Sequence, residues 1–374
     1  MTAAVVFWVG VGVVLYTYAG YPIVLRLLRL VIRRPVRREP IEPFVSILVP
    51  AFNEADVIAE KIRNVLAIDY PADRFELAVA CDGPSDGTSD IVRSMANGEQ
   101  VRAFLFEQNR GKLYVLNDVV PQLRGEIVAF SDASSMLEPN AVRELVASFA
   151  DPKVGAVSGV YRVRKKDAAH LGRQEDFYWK YETFLKKQEA ALGSILGAHG
   201  SLYAIRKSLY PAPDPRTIND DYVIPLRIVQ KGYRVAYEPA AVAHEEAHEM
   251  GGFSRRVRIM AGNVEQLREL RPLLWPLRPL MLFFFLSHKV ARLAVPPALI
   301  AAAIANLALL QSPFYRALGA LQLVFYALVG IGALFQLRPK VLRLPYYFCM
   351  INAAALVGMY HAARGRRTLR WKHD

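Results

Sequence analysis

Charged residues recur in this chain just where an apolar run ends. Glu54 follows Val45–Pro50, Asp82 follows Leu77–Cys81, Lys112 follows Val101–Phe106, and Asp132 follows Gly125–Ser131. Asp220 and Asp221 then open a later amphipathic stretch that stops at Gly232. Each of these has a plain structural reading as a helix cap or a solvated side chain. In succession they suit a different chemistry: carboxylates and an ammonium gathered around an anionic ligand or a hard cation. Lys112 opens a helix, where the dipole favours anions, and a phosphate or carboxylate beside it would relieve that misfit. Adjacent carboxylates such as Asp220 and Asp221 raise one another's pKa toward the working range of a general base.

The elements that must position these residues read as alternating strands and helices. Apolar runs of strand length end in turn-rich segments, Ala51-Phe52-Asn53-Glu54 and Asp82-Gly83-Pro84-Ser85-Asp86-Gly87-Thr88, before helical spacing resumes at Ile58, Ile62, Val65 and Leu66 and at Ile91, Val92 and Met95. Strand, tight turn and helix in repetition build an open α/β sheet whose ligand crevice lies at the carboxyl edge. Beyond a strand at Val154–Val163, Asp167–Leu192 reads as one long helix that carries Trp179, a candidate for sugar or lipid contact. The small residues of Gly197–Arg206 permit close backbone approach to a ligand and include His199, Gly200 and Ser201. Tyr233–Tyr237 is a strand, followed by His244, a candidate metal ligand with a structural alternative.

Composition places this domain beside a membrane. The chain has 374 residues, 53% of them hydrophobic, and a net charge of +13. Segregation reconciles the two figures. Val5–Leu25 is uncharged until Arg26 and long enough to cross a bilayer of about 30 Å. Val290–Leu310, Ala317–Phe335 and Pro345–Ala362 are three further candidate spans, and Leu273–Leu286 reads as an interfacial helix. Arg26, Arg29, Arg33, Arg34, Arg37 and Arg38 flank the first span. That position makes membrane lipids, not nucleic acid, their expected partner, and it puts the central domain in the cytoplasm of a bacterial-type inner or plasma membrane. The basic tail Arg364–Lys372 leaves two topologies open: a tilted or re-entrant last segment, or a tail outside despite its charge. Cys81 and Cys349 form no disulfide framework, consistent with a reducing compartment. The expected organisation is an anchor at 1–32, a catalytic domain at 44–250, amphipathic helices at 251–286, spans at 287–363 and a tail at 364–374.

Seven motifs in order now carry a resemblance: PAFNE at 50–54, DGPSDGT at 82–88, NRGK at 109–112, DAS at 132–134, GSLYAIR at 200–206, NDD at 219–221 and RRVR at 255–258. Together they resemble the processive-synthase-like branch of the membrane-bound family 2 glycosyltransferases. The resemblance implies an α/β fold of GT-A type, a Rossmann-like mixed sheet flanked by helices. It implies a nucleotide-sugar donor, a UDP-sugar foremost, held by Pro50, Ala51, Asn53, Glu54, Asp82, Lys112, Asp132, Ala133, Arg255 and Arg258. It implies Mg²⁺ or Mn²⁺ at Asp132, with Ser134 and His244 as further candidate ligands. Asp221, seconded by Asp220, would match the base that deprotonates an acceptor hydroxyl for inverting transfer. A lipid-linked or saccharide acceptor would meet His199, Gly200, Ser201 and Trp179.

The departures from the pattern are specific. Cys81 replaces the first of two adjacent aspartates, and Ser134 replaces the second aspartate of the metal motif. Arg255 and Ile259 stand where the family's Gln-x-x-Arg-Trp motif has Gln and Trp, and that Trp is associated with holding a growing polysaccharide. The leading expectation is therefore single addition to a membrane-delivered acceptor in exopolysaccharide, capsule or glycolipid synthesis. A processive synthase and a non-catalytic binding protein on a transferase fold are the alternatives.

Overall fold

The computed structural model describes residues 1–164, 172–246, 252–267, 278–335 and 340–364. It divides into two compact units, one built mainly from residues 31–168 and 179–248, the other from 1–30 and 249–367.

The first unit is a single eight-stranded sheet in the order β3-β2-β1-β4-β7-β6-β8-β5. Val45–Ala51 (β1) and Phe75–Asp82 (β2) are buried along their whole length, which is why they read as continuous apolar runs and not as alternating ones. Val101–Phe106 (β3) pairs parallel with β2, β2 with β1, and β1 with Ile127–Phe130 (β4). The chain winds outward from β1 in both directions, so a crevice must open at the carboxyl ends of β1 and β4. The helix Ala55–Leu66 packs Ile58, Ile62 and Val65 into the core beneath that crevice.

Beyond β4 the sheet becomes mixed. Tyr203–Arg206 (β7) runs antiparallel to both β4 and Val154–Arg164 (β6); β6 pairs parallel with Arg234–Glu246 (β8), and Ser135–Leu137 (β5) closes the edge antiparallel to β8. Neither β5 nor β7 is expected from sequence, being too short for any periodicity to declare them. β8 is also longer than the expected Tyr233–Tyr237. Between Ser158↔Tyr237 and Val160↔Val242 the register shifts, so a bulge sets Glu238, Pro239, Ala240 and Ala241 against Gly159 alone before pairing resumes.

At the edge of the sheet opposite the crevice, Glu76 is fully buried. It accepts Ser46 Oγ at 2.6 Å, Arg124 N at 2.6 Å, Arg124 Nε at 2.8 Å and Arg102 Nη1 at 3.0 Å. Burial pushes its carboxyl up, but these donors outweigh it and hold the pKa below the ordinary value. One carboxylate thereby ties β1, β2, β3 and the entry to β4.

In the second unit three helices among the described residues are long and apolar enough to cross a membrane: Thr2–Val31, Pro279–Leu307 and Pro313–Ala333. The second begins eleven residues before the expected Val290, because the apolar stretch after Pro279 continues the same helix instead of lying apart from it. The rest of the expected interfacial helix falls outside the described residues. Gly10 lets the first helix meet the second closely, since a Cβ there would stand 2.7 Å from Ala298 O. Gly358 does the same for the helices Gly252–Glu265 and Lys340–Ala363, where a Cβ would stand 2.8 Å from Val257 O.

Replacing Glu76 with Ala removes the shared acceptor. The two arginines stay partly solvated, so the expected loss is about 1–3 kcal/mol of unfolding free energy, read by denaturant titration of the detergent-solubilised chain. Because the folded pKa is depressed, the wild-type advantage disappears as pH falls through that lowered range.

Candidate active site

Two loops at the carboxyl edge brace each other. Asn53 adopts a left-handed backbone with φ 54°, which Asn tolerates better than most residues, and its Oδ1 accepts Ser85 N at 2.8 Å. The first amides of the helix Ala55–Leu66 are capped from across the crevice: Glu54 N donates to Thr88 Oγ1 at 2.9 Å and Ala55 N to Asp86 Oδ2 at 2.9 Å. Glu54 occupies the N-cap position but makes no side-chain cap bond. Pro50, Ala51 and Ala133 are buried, so they shape the floor and present no side chain to a ligand.

Asp82 departs from expectation. It is fully buried, and its two oxygens accept Arg110 N at 2.9 Å and Gly111 N at 2.7 Å. Instead of standing open to a nucleotide base, it clips down the NRGK turn. Gly83 makes this possible: with φ 59°, any Cβ would lie 2.3 Å from the Gln108 carbonyl carbon. The clip aims the following helix, Lys112–Val119, so that Lys112 Nζ lies 3.1 Å from Asp132 Oδ1 and 3.2 Å from Asp220 Oδ2.

Around that ammonium the carboxylates gather. Asp220 is the first residue of the helix Asp220–Gln230, yet no side chain caps that helix start; its carboxylate pairs with Lys112 instead. Asp221 follows. Gly200 lies between strand and helix such that a Cβ would stand 3.5 Å from both Asp132 Oδ2 and Asp221 Oδ2. Asp132, Asp220, Asp221 and Lys112 therefore face one small space. Burial, and then the charge of Asp220, push the Asp221 carboxyl up to about 6, against the opposing pull of Lys112 and Lys186. Lys186, buried on the helix Gly172–Leu192, donates to Gly197 O at 3.0 Å and Ala198 O at 3.1 Å, while Ala198 N donates to Asp221 O at 2.8 Å.

The candidate cation ligands divide. Ser134 Oγ donates to Glu245 Oε1 at 2.9 Å, so Glu245 carries a carboxylate to the position where the metal motif has its second aspartate. His244 does not join them. Strand alternation sends neighbouring side chains of β8 to opposite faces, and His244 Nε2 bonds Glu138 Oε1 at 2.7 Å. Among the other expected contacts, His199 and Ser201 are buried, the first with its backbone N–H on Ser158 Oγ at 3.0 Å, and Gly200 borders the carboxylate space. The side chains of Trp179 and Arg255 lie outside the described residues. Arg258 lies on the helix Gly252–Glu265 of the second unit.

Sequence reasoning passed over Lys61, Lys186 and Glu245. Lys61 had a signal: it sits between Ile58, Ile62 and Val65 on the apolar face of its helix, where a solvated lysine does not belong. Glu245 is found only by its partner across β5 and β8.

Comparison with known proteins places this geometry. A family profile described as glycosyltransferase like family 2 matches residues 42–261. The poly-β-1,6-N-acetyl-D-glucosamine synthase of Staphylococcus aureus is 28% identical over 230 residues, covering 60% of this chain and 55% of that protein. The synthase of the same name from Staphylococcus epidermidis is 28% identical over 257 residues, covering 66% and 61%. The chain thus spans a little over half the length of the curated relatives it matches. Among solved structures, the mannosyltransferase PcManGT from Pyrobaculum calidifontis, in complex with GDP-Man and Mn²⁺, matches with a TM-score of 0.73 and 24% identity over 96% of this chain and 99% of that one. The sheet has the expected GT-A arrangement.

Gly200→Ala fills the space between Asp132 and Asp221 with a methyl group at ordinary contact distance. The variant is expected to fold with an unchanged thermal midpoint. A ligand displaced by that methyl should lose about 100-fold in kcat/KM, measured by nucleotide release from a donor panel.

Proposed function

This chain belongs to glycosyltransferase family 2, and from that premise we propose that it is an inverting transferase moving a sugar from a nucleotide-sugar, a UDP-sugar first, to a hydroxyl of a membrane-associated or saccharide acceptor in exopolysaccharide, capsule or glycolipid synthesis. The observation that carries this reading is the meeting of Asp132, Asp220 and Asp221 around Lys112.

In the proposed reaction Asp221 accepts the proton of the acceptor hydroxyl. The freed oxygen attacks the anomeric carbon from the face opposite the nucleoside diphosphate, the bond to that diphosphate breaks, and the configuration inverts. Lys112 supplies the positive charge that offsets the departing phosphates, with Asp220 holding it in place. A family 2 site also implies a divalent cation. The oxygens of Asp132, Ser134 and Glu245 are hard donors of the kind Mg²⁺ and Mn²⁺ accept, and they number few enough to leave room for substrate phosphates. When bound, such an ion would supply charge neutralisation at the diphosphate.

A pKa near 6 suits this base: ionised at neutral pH, yet basic enough to take a proton as the hydroxyl attacks. The apolar helices support a membrane-associated reaction, and the basic residues that follow the first of them support a cytoplasmic catalytic domain.

Polymerisation is the second reading, favoured by the names of the Staphylococcus relatives. Against it, two of the few polar side chains on these helices are engaged by backbone groups. Asn306, its amide oriented to donate to Tyr315 O and accept from Gly319 N at 3.2 Å each, and Asn352, on Phe348 O at 2.8 Å, serve backbone groups. A cavity of about 360 Å³ in this unit is lined by apolar side chains, with Gln322 and Tyr326 its polar exceptions. Product length on an accepted primer separates the two readings.

Asp221→Asn should lower kcat/KM by about 10²–10⁴-fold while raising the thermal midpoint at neutral pH, because a carboxylate whose folded pKa is raised costs stability once ionised. In the wild type, kcat/KM should fall as pH drops through about 6. A variant as active as wild type, or no acidic limb, removes Asp221 as the base.

A further inference from the structure

Lys61 is the most deeply buried cation of the sheet unit that the proposed chemistry leaves without a role. It lies on the helix Ala55–Leu66 with no exposed surface. Its ammonium donates to Ser131 Oγ at 2.7 Å and to Ser135 O. Those two residues bracket the loop that carries Asp132, Ala133 and Ser134. The Ser131 hydroxyl in turn donates to Ser201 O at 2.9 Å. One turn further along the same helix, Asn64 Nδ2 donates to Leu137 O at 3.0 Å and Asn64 Oδ1 accepts Leu137 N at 2.8 Å.

These bonds form one device. A lysine and an asparagine at i and i+3 lie on the same helix face, and together they template the whole segment from Ser131 to Leu137. The relay through Ser131 extends that control to Ser201, next to Gly200, which separates Asp132 from Asp221. Core packing alone asks for an apolar side chain at this position. A fully buried ammonium is costly unless its bonds are made, and its neighbours on the helix, Ile58, Ile62 and Val65, supply none. No carboxylate forms an ion pair with it among the described residues; the charge that acts on it is Asp132.

We propose that Lys61 is a positioning residue: its buried ammonium sets the backbone of the Asp132 loop and, through Ser131, that of Gly200–Ser201, and leaves an uncancelled positive charge beneath the place where the donor's diphosphate sits. The second half of this rests on the glycosyltransferase reading; the first does not. A neutral side chain of the same length would fill the volume but make none of the bonds.

The test is Lys61→Met in the full-length, detergent-solubilised chain, with Ser131→Ala as its companion should the first variant fail to fold. Amide hydrogen exchange reads the positioning claim without any ligand. Lys61→Met should speed exchange at Ser131, Ser135 and Leu202 by about tenfold or more while β2 and β3 stay as in wild type. Ser131→Ala should do so at Leu202. Binding of UDP and of GDP, each with Mn²⁺, should weaken by about tenfold or more in Lys61→Met, with a thermal midpoint no lower than wild type. Unchanged exchange at those amides, or faster exchange across the whole sheet, overturns the proposal. So does a lower midpoint with nucleotide affinity intact, which would make Lys61 a packing residue. If the wild type binds neither nucleotide, the donor reading falls, and the exchange result still decides the role of Lys61.

Discussion

The constraint on which the site depends is one ammonium among like charges. Asp132, Asp220 and Asp221 come from two separate elements and converge on a space too small for three ionised carboxylates to share unaided. Lys112 makes the arrangement possible, reaching two of them directly at 3.1 Å and 3.2 Å. Burial and the acidic cluster have opposite effects on this lysine, and the cluster wins, holding the ammonium protonated well above its ordinary range. Asp221 keeps a raised pKa, first because it is buried and then because Asp220 lies beside it, and the pull of Lys112 offsets this only in part. The one cation is thus shared unevenly: Asp220 pairs with it directly, and Asp221 feels it only as an opposing charge.

That ammonium can hold its place only because the chain before it is fixed. A lysine side chain has four rotatable bonds and loses much entropy when pinned. The cost falls when the backbone that carries it is already rigid. Asp82 secures the preceding turn by its two backbone bonds, and Gly83 permits the close approach to Gln108 and Asn109 that brings the turn within reach. The same economy recurs on the neighbouring loop, where Asp86 and Thr88 cap a helix that is not their own. Side chains at strand ends here serve mostly as struts between loops. Asp132, Lys112, Asp220 and Asp221 instead meet one another, with Lys112 between two of the carboxylates.

What was legible in the sequence follows from this layering. Strands β1, β2, β3 and β6 and the helices after β1 and β2 were readable because each has a period or an unbroken apolar run. β5 and β7, at three and four residues, were not: they exist through their partners β8, β4 and β6. Among site residues, the motifs marked the right loops, but residue type did not tell strut from ligand. Asp82 and Asp132 look alike in sequence, each a carboxylate at a strand end; one is wholly buried and the other part exposed. His244 had the chemistry of a ligand and the wrong parity on its strand, while Glu245, one residue later, had the right parity and drew no notice.

Parity also explains how the site accommodates its departures from the family pattern. A serine at position 134 takes away a carboxylate that the metal motif normally supplies from the β4–β5 loop. The hydroxyl is short and is a donor, so it can recruit an acceptor from the adjacent strand, and β8 offers Glu245 at the facing register position of Ser135. Charge lost from the loop is returned by the sheet. Such a transfer ties the electrostatics of the site to the pairing of β5 with β8. That pairing depends in turn on Leu137, held by Asn64, and on the bulge that brings β8 back into register at Val242. In three dimensions, then, the carboxylate that reaches position 134 comes from β8 and not from the loop.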